Sequence, residues 1–321
     1  MGTVVVLGSL ITDLVARASR FPLPGEALIG NDFAIFLGGK GINQAITAAR
    51  MGARVTLVGR VGMDTFGDAF FPELKRENID STYVERDPHI GTGVSVIIIA
   101  EESGQNAIVA APLANLAVPG ETVEAALRTT RAHRAERNDQ GIFLAQCETS
   151  RVSYETGLHV ARQLGMTTIL NVAPIPRELP EDTLFALVDI LIVNEVEAAI
   201  LSQKPVSTPQ SAQGAAEDLL AKGPQHVIVT LGAQGSVWSR RDGAAAEHHF
   251  QPPFKVQGVD ATAAGDAFCG TLAASLADGS TMKSALLRAS AAGALTASRK
   301  GAIIALPTLA EVEALLTQQS A

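Results

Sequence analysis

Asp260 and Asp266 are separated only by Ala261, Thr262, Ala263, Ala264 and Gly265, residues too small to cover their own backbone N–H groups. Beyond Asp266, Phe268, Leu272, Ala273 and Leu276 recur at helical spacing, which puts Ala263, Ala264 and Gly265 at a helix start. Unpaired N–H groups and the positive end of the helix dipole attract an anion there. A carboxylate in that turn can take a proton from a hydroxyl while the bare amides hold a phosphoryl group under attack. A capped helix start with a stabilising first-turn Asp explains the same residues equally well.

Four other clusters carry chemistry. Leu37-Gly-Gly-Lys-Gly-Ile-Asn43 precedes a helical stripe; its glycines allow a ligand close to the backbone, and Asn43 offers both donor and acceptor. It is not a Walker A loop, because Gly41 stands where Ser or Thr is required and Ala34 where Gly is required. Asn194 and Glu197 follow an apolar run and share a helix face, an amide and a carboxylate suited to water-mediated contact with Mg²⁺ and phosphate, or to plain capping. Thr230-Leu-Gly-Ala-Gln-Gly235 is a compact turn over which a nucleotide fits, and a tight hairpin reads the same way. Asp13, near Ser9, and Glu148 follow short apolar runs, where either ligand contact or ordinary loop polarity accounts for them. His248-His249 lacks a second ligand pair, and no HExxH, GxSxG or GxGxxG sequence is present.

These clusters need a scaffold, and the apolar runs supply one. Thr3–Leu7, Arg54–Val58, Gly141–Ala145, Thr167–Val172, Asp189–Val193 and His226–Leu231 have strand length and strand composition. Helical patterns over Gly41–Gly52, Val152–Leu164, Thr183–Val188 and Ala212–Lys222 separate them. The alternation predicts one α/β domain over residues 1–321: a doubly wound, mostly parallel sheet flanked by helices, with ligands at the carboxyl ends of the strands. Segments 12–37 and 91–112 break the rhythm with hairpin signals and are expected to form a small antiparallel β lid. So few residues cover an apolar sheet face poorly, which predicts packing on the main domain or on a second subunit.

With 47% hydrophobic residues in 321, the chain can bury a large core. A formal charge of −8 disfavours nucleic acid and anionic membrane as partners. The charged stretch Arg128–Asp139 is accordingly read as a solvated helix end and loop. Cys147 and Cys269 have no metal or disulfide spacing, and neither a signal h-region nor a membrane-length apolar run is present, so a reducing, cytoplasmic setting is expected.

Together the clusters resemble the ribokinase or PfkB family of carbohydrate kinases from end to end. Gly38-Gly-Lys-Gly-Ile-Asn43 is similar to its N-terminal signature and Asp260-Ala-Thr-Ala-Ala-Gly-Asp266 to its C-terminal one, with Asn194-Glu-Val-Glu197 between them. The resemblance implies ATP-dependent phosphorylation of a sugar hydroxyl, O5 if the sugar is D-ribose, giving D-ribose 5-phosphate. Other sugars, sugar acids or nucleosides are alternative substrates, and a sugar-binding regulator without turnover is a third reading. Asp266 would be the base, and Ala263, Ala264 and Gly265 the anion hole. Ile11, Thr12, Asp13, Gly39, Lys40, Gly41, Ile42, Asn43 and Glu148 would hold the sugar. Asn194, Thr230, Leu231, Gly232, Ala233, Gln234, Gly235, Gly265 and Ser290 would line the ATP site, with Glu197 near Mg²⁺ through water. K⁺ would be bound by Asp260 and Thr262 with Thr296, Arg299, Gly301 and Ala305, and the lid would pair in a homodimer. The sequence departs from the pattern at Ile11, where the family's ribose kinases carry Asn, and the loss of a polar contact there shifts sugar preference.

Overall fold

Val4, Val5, Val6 and Leu7 are all fully buried, and the strand they form, β1 (Thr3–Leu7), lies inside the main sheet with β4 and β8 as its two neighbours. The computed structural model describes residues 2–135, 141–243 and 245–320. The first half of the chain continues with β2 (Ile11–Ala18), β3 (Asp32–Gly38), α1 (Lys40–Arg50), β4 (Arg54–Gly62), α2 (Thr65–Asp68), α3 (Phe70–Arg76) and β5 (Asp80–Asp87). Then follow β6 (Gly93–Ala100), β7 (Gln105–Ala111), α4 (Gly120–Ala135), β8 (Gly141–Gln146), α5 (Arg151–Gln163) and β9 (Thr167–Asn171). The remainder comprises α6 (Asp182–Phe185), β10 (Ile190–Asn194), α7 (Glu195–Ser202), α8 (Pro209–Ala221), β11 (His226–Thr230), β12 (Ser236–Asp242), β13 (Ala245–Gln251), α9 (Ala264–Ala277), α10 (Met282–Ala297) and α11 (Leu309–Ser320).

The main sheet runs β13-β12-β11-β10-β9-β8-β1-β4-β5, parallel throughout except for β12 and β13, which return antiparallel at one edge. Strand pleating splits β1 between two cores. Val4 and Val6 pack with Ile42 and Ile46 of α1, Phe268 and Leu272 of α9 and Leu286 of α10, while Val5 and Leu7 meet Leu127 of α4, Leu158 of α5 and Leu219 of α8. Each large apolar side chain so buried contributes about 1.5–3 kcal/mol. This is the doubly wound α/β architecture expected from the alternating pattern.

The apolar runs that the sequence marks as strands are all strands. Strand β5 and the return strand β13 carry no such signal: Asp80-Ser-Thr-Tyr-Val-Glu-Arg-Asp87 and the residues of β13 are mostly polar, as befits edges with one neighbour. The helix expected over Thr183–Val188 shrinks to four residues, because Leu187 N–H and Val188 N–H bond back three residues to Leu184 and Phe185 and tighten the turn. Helix α4 carries Arg128 and Arg131 outward; residues 136–139 of the charged stretch lie outside the described residues. Among the described residues no helix is long and apolar enough to cross a membrane.

A second sheet, β3-β2-β6-β7, stands apart. Its two hairpins, β2–β3 and β6–β7, are antiparallel as expected. They meet along a parallel seam, β2 with β6, from Ile11 opposite Gly93 to Ala18 opposite Ala100. Between those strands the chain makes β3, α1, β4, α2, α3 and β5, so a crossover long enough for parallel pairing is available.

Candidate active site

Strands β1, β8, β9, β10 and β11 all end at one edge of the sheet, and the chemistry-bearing residues gather there. Gly8 ends β1 so close to the glycine loop that a Cβ on Gly41 would lie 2.3 Å from the Gly8 carbonyl carbon. Gly39 takes φ 102°, a backbone open to glycine but strained for other residues. This contact brings Ser9, Lys40 and Glu148 together: the Ser9 hydroxyl and the Lys40 N–H (2.9 Å) both donate to Glu148 Oε2. Burial raises the Glu148 pKa, opposed by the Lys40 charge.

Asp13 lies on β2, and Gly38 on β3 has no side chain to block it; a Cβ there would be 2.4 Å from Asp13 Oδ2. The Ser95 hydroxyl of β6 donates to Asp13 Oδ1. Burial raises the Asp13 pKa, and the Ser95 hydrogen bond opposes the shift. Ile11 shares the Asp13 face by the strand's two-residue period and is 4% exposed. Thr12 turns to the other face, where its buried Oγ1 has no hydrogen-bond partner. Asn115 braces the start of β2, accepting from Leu10 N–H (2.8 Å) and donating to Leu10 O (2.9 Å).

Asp266 sits in the first turn of α9 and is 6% exposed. Its Oδ2 accepts from Asn43 Nδ2 and its Oδ1 from Gln44 Nε2, both at 3.0 Å. Asn43 Oδ1 is buried without a partner. Lys40, on the same loop, has its pKa raised first by the charge of Asp266, and further by Glu148 and Glu197. The charges of Asp266, Glu148 and Glu197 thus all favour the protonated Lys40 ammonium.

Helix α9 begins without a side-chain cap, and Ala263 before it adopts the left-handed conformation at φ 60°. Such a turn presents backbone amides to an anion. The Ala264 N–H is engaged by Ala261 O at 3.2 Å, while the side-chain direction at Gly265 opens on empty space. Asp260 ties the preceding turn to the loop after α10, accepting from Thr262 N–H (3.0 Å) and Oγ1 (2.6 Å) and from Gly301 N–H (3.0 Å). Burial works against its charge, but these donors hold its pKa below the usual range. Thr296 and Ala305 are fully buried beside that loop, and Arg299 pairs with Glu311 at 2.6 Å.

Beyond this turn lie the remaining candidates. Asn194 ends β10 in register with Thr230 of β11. Asn194 and Glu197 form a reciprocal capping box at α7: Asn194 Oδ1 accepts from Val196 and Glu197 N–H, and Glu197 Oε2 accepts from Asn194 N–H at 2.8 Å. Burial raises the Glu197 pKa. Leu231–Gly235 is the turn of the antiparallel β11–β12 pair, closed by Leu231 N–H to Gly235 O at 2.8 Å, with Gly232, Ala233 and Gln234 at its tip. Ser290 is half-buried on α10, which approaches the start of α9 where Gly293 faces Ala264 O. Among the described residues no three His, Cys, Asp or Glu side chains are grouped to hold a metal unaided. Burial pushes the Cys147 thiol up to about 12, which favours its neutral form.

The profile of the pfkB family carbohydrate kinases matches residues 1–309. The chain belongs to that family. It is 35% identical over 309 residues to a ribokinase of Haemophilus influenzae, covering 96% of each chain, and 31% identical over 315 residues to a deoxyribokinase of Salmonella typhi, covering 98% of each. A structure of Arabidopsis thaliana ribokinase complexed with ribose and ATP superposes with a TM-score of 0.86 at 28% identity, covering 98% of both chains. The protein is therefore an ATP-dependent carbohydrate kinase with the ribokinase fold.

Sequence reasoning missed Gln44, Gln146 and Ser95, and what Asn115 contacts. Gln44 adjoins Asn43 and falls on the buried side of α1, a signal available from helical spacing. The other three are polar residues within or beside apolar strands, and nothing local marks their partners.

Proposed function

We propose that the chain transfers the γ-phosphoryl group of ATP to O5 of D-ribose, with Asp266 as the base. The observation that carries this is a buried carboxylate at a helix N-terminus, held by Asn43 and Gln44 beside Lys40. The hydroxyl oxygen attacks the γ-phosphorus, its proton passes to Asp266, and the bond to the β-phosphate oxygen breaks to release ADP. Amides around Ala263 and Gly265, joined by the Ala264 N–H once it leaves Ala261 O, stabilise with the Lys40 ammonium the charge spread over the transferring group. Asp13, Glu148 and the Gly39–Asn43 loop hold the sugar, with Ile11 and Thr12 contributing wall and backbone. Asn194, Thr230–Gly235, Gly265 and Ser290 line the nucleotide site.

A Mg²⁺ bound to ATP supplies charge neutralisation, and one buried carboxylate, Glu197, with an adjacent amide suits an ion that keeps most of its water. A K⁺ ion fits the turn built by Asp260 and Thr262 with carbonyl oxygens of Thr296, Arg299, Gly301 and Ala305; its part is to shape the anion hole. A second copy of the chain covers the outer face of the small sheet.

The test is ADP release from purified protein with ATP, Mg²⁺, K⁺ and a panel of sugars. Ribose turnover is expected, lost by about a thousandfold or more in Asp266→Asn with folding intact. Full activity in that variant would remove Asp266 as base. Turnover with another sugar only would favour the second reading, which Ile11 supports: a related kinase whose sugar lacks a hydroxyl, as the name of the Salmonella relative indicates for that enzyme. Thermal stabilisation by sugar without ADP release would indicate a binding protein.

A further inference from the structure

Behind Asp266 runs a buried chain of side-chain amides, of which the proposed chemistry uses only the bond from Gln44 to the carboxylate. Gln44 Nε2 donates to Asp266 Oδ1 at 3.0 Å and to Asn171 Oδ1 at 3.2 Å. Gln44 Oε1 in turn accepts from Gln146 Nε2 at 2.7 Å, and Asn171 Nδ2 donates to Ile192 O at 3.2 Å. Gln44 and Gln146 are fully buried and Asn171 is 8% exposed. These amides thus link α1, the ends of β8 and β9, the middle of β10 and the first turn of α9.

Two glycines make this contact possible. Gly270 lies one turn after Asp266 on α9, and a Cβ there would fall 2.5 Å from Gln44 O and 2.7 Å from Thr47 Cβ, so α1 and α9 touch along that line. A Cβ on Gly8 would lie 2.3 Å from Gln146 Oε1, so the end of β1 leaves room for the Gln146 amide. An amide can aim either its oxygen or its nitrogen at a neighbour. The Gln146 donor occupies Gln44 Oε1 and thereby forces the Nε2 side toward the carboxylate. Gln146 Oε1 has no hydrogen-bond partner, so Gln146 is placed for what its nitrogen does.

We propose that Gln44, oriented by Gln146, is a positioning residue that fixes the direction of the Asp266 carboxylate toward the sugar hydroxyl. This rests on Asp266 being the base. Asn43 and Gln44 bond one lone pair on each oxygen, leaving the outward pairs of the carboxylate for the acceptor. A carboxylate free to rotate would spend less time aligned, and a misplacement of about 1 Å costs on the order of a hundredfold in rate.

The experiment is single-turnover phosphoryl transfer with ribose and ATP in Gln44→Met, Gln146→Met, Asp266→Asn and the Gln44→Met/Asp266→Asn pair, with KM values and melting temperatures alongside. Gln44→Met is expected to lower the transfer rate roughly 10- to 100-fold with both KM values within about twofold, and Gln146→Met to lower it less in the same pattern. In the Asp266→Asn background, Gln44→Met should cost nothing further. Losses confined to KM or melting temperature, or a full additional loss in the double variant, would overturn the inference while leaving Asp266 as base. An active Asp266→Asn would overturn the base reading instead. If Gln44→Met does not fold, Gln146→Met decides alone: an unchanged transfer rate in that folded variant refutes the orienting role.

Discussion

Arg50 Nη1 donates to Leu306 O at 2.6 Å and to Ile303 O at 3.2 Å, while Nε and Nη2 hold Glu77 at 3.1 and 2.6 Å. Helix α1 therefore carries Asn43 near one end and, at the other, a clamp on the loop that contains Gly301 and Ala305. The glycine loop and the proposed cation loop are braced by one rigid element.

Replacing that guanidinium with a neutral chain of similar length separates bracing from binding. Arg50→Met leaves Glu77 with only the exposed Arg76 at 3.7 Å and the Ile303 and Leu306 carbonyls without their donor, and is expected to cost about 1–3 kcal/mol of stability. It should also raise the K⁺ concentration for half-activation several-fold with little effect on the ribose KM. A K⁺ activation curve identical to the parent's would show that the loop keeps its shape without the clamp.

Ile11 offers no polar atom on the face of β2 that carries Asp13. Introducing Asn there supplies a donor and an acceptor to the sugar, worth about 1–3 kcal/mol to a hydroxyl in reach. Ile11→Asn is expected to raise kcat/KM for ribose about tenfold relative to that for 2-deoxyribose. An unaltered ratio would place Ile11 away from the sugar.

Glu148 is an acid whose pKa burial raises in the folded chain. The native state then binds the proton more tightly than the unfolded one, so this group's contribution is fully present below its unfolded pKa and is lost as pH rises through the folded value. Glu148→Gln should accordingly melt higher than the parent at pH 7 in the absence of sugar, with the difference shrinking as pH falls into the carboxylate range. Its ribose KM should rise about tenfold or more, because a charged hydrogen bond is lost. A difference in melting temperature that grows on acidification would contradict the assignment.

Ile35, Leu14, Val96 and Val109 lie opposite one another across all four strands of the small sheet, on the face turned away from Asp13. Ile35 is 52%, Val96 47% and Val109 73% exposed, a continuous apolar row that a second subunit would cover. Val109→Asp is expected to shift a dimer to a monomer in light scattering at micromolar concentration. A parent chain that is already monomeric there would refute the pairing.

The local pattern alone located much of this. Thr3–Leu7 and His226–Thr230 are β-branched runs whose burial follows from composition, and the glycines before Asn43 mark a turn because Gly39 takes φ 102° and a Cβ on Gly41 would meet Gly8. Those signals depend on neighbours within a few positions, which is why the apolar strands, the helix start at Ala264 and the glycine loop were legible. The partners of Asp266 were not: Gln44 lies 222 residues away in the chain and Gln146 another 102 from Gln44. Periodicity assigns such residues to a buried side without saying what they meet. The parallel seam of β2 with β6, the polar edge strand β5 and the Arg50 clamp share that origin, since each forms only when distant segments are packed. Sequence determined most of the buried strands and the helix start that carries the Asp266 carboxylate; the tertiary structure decided which buried amides face it, because side-chain hydrogen bonds over such separations depend on how the helices close upon the sheet.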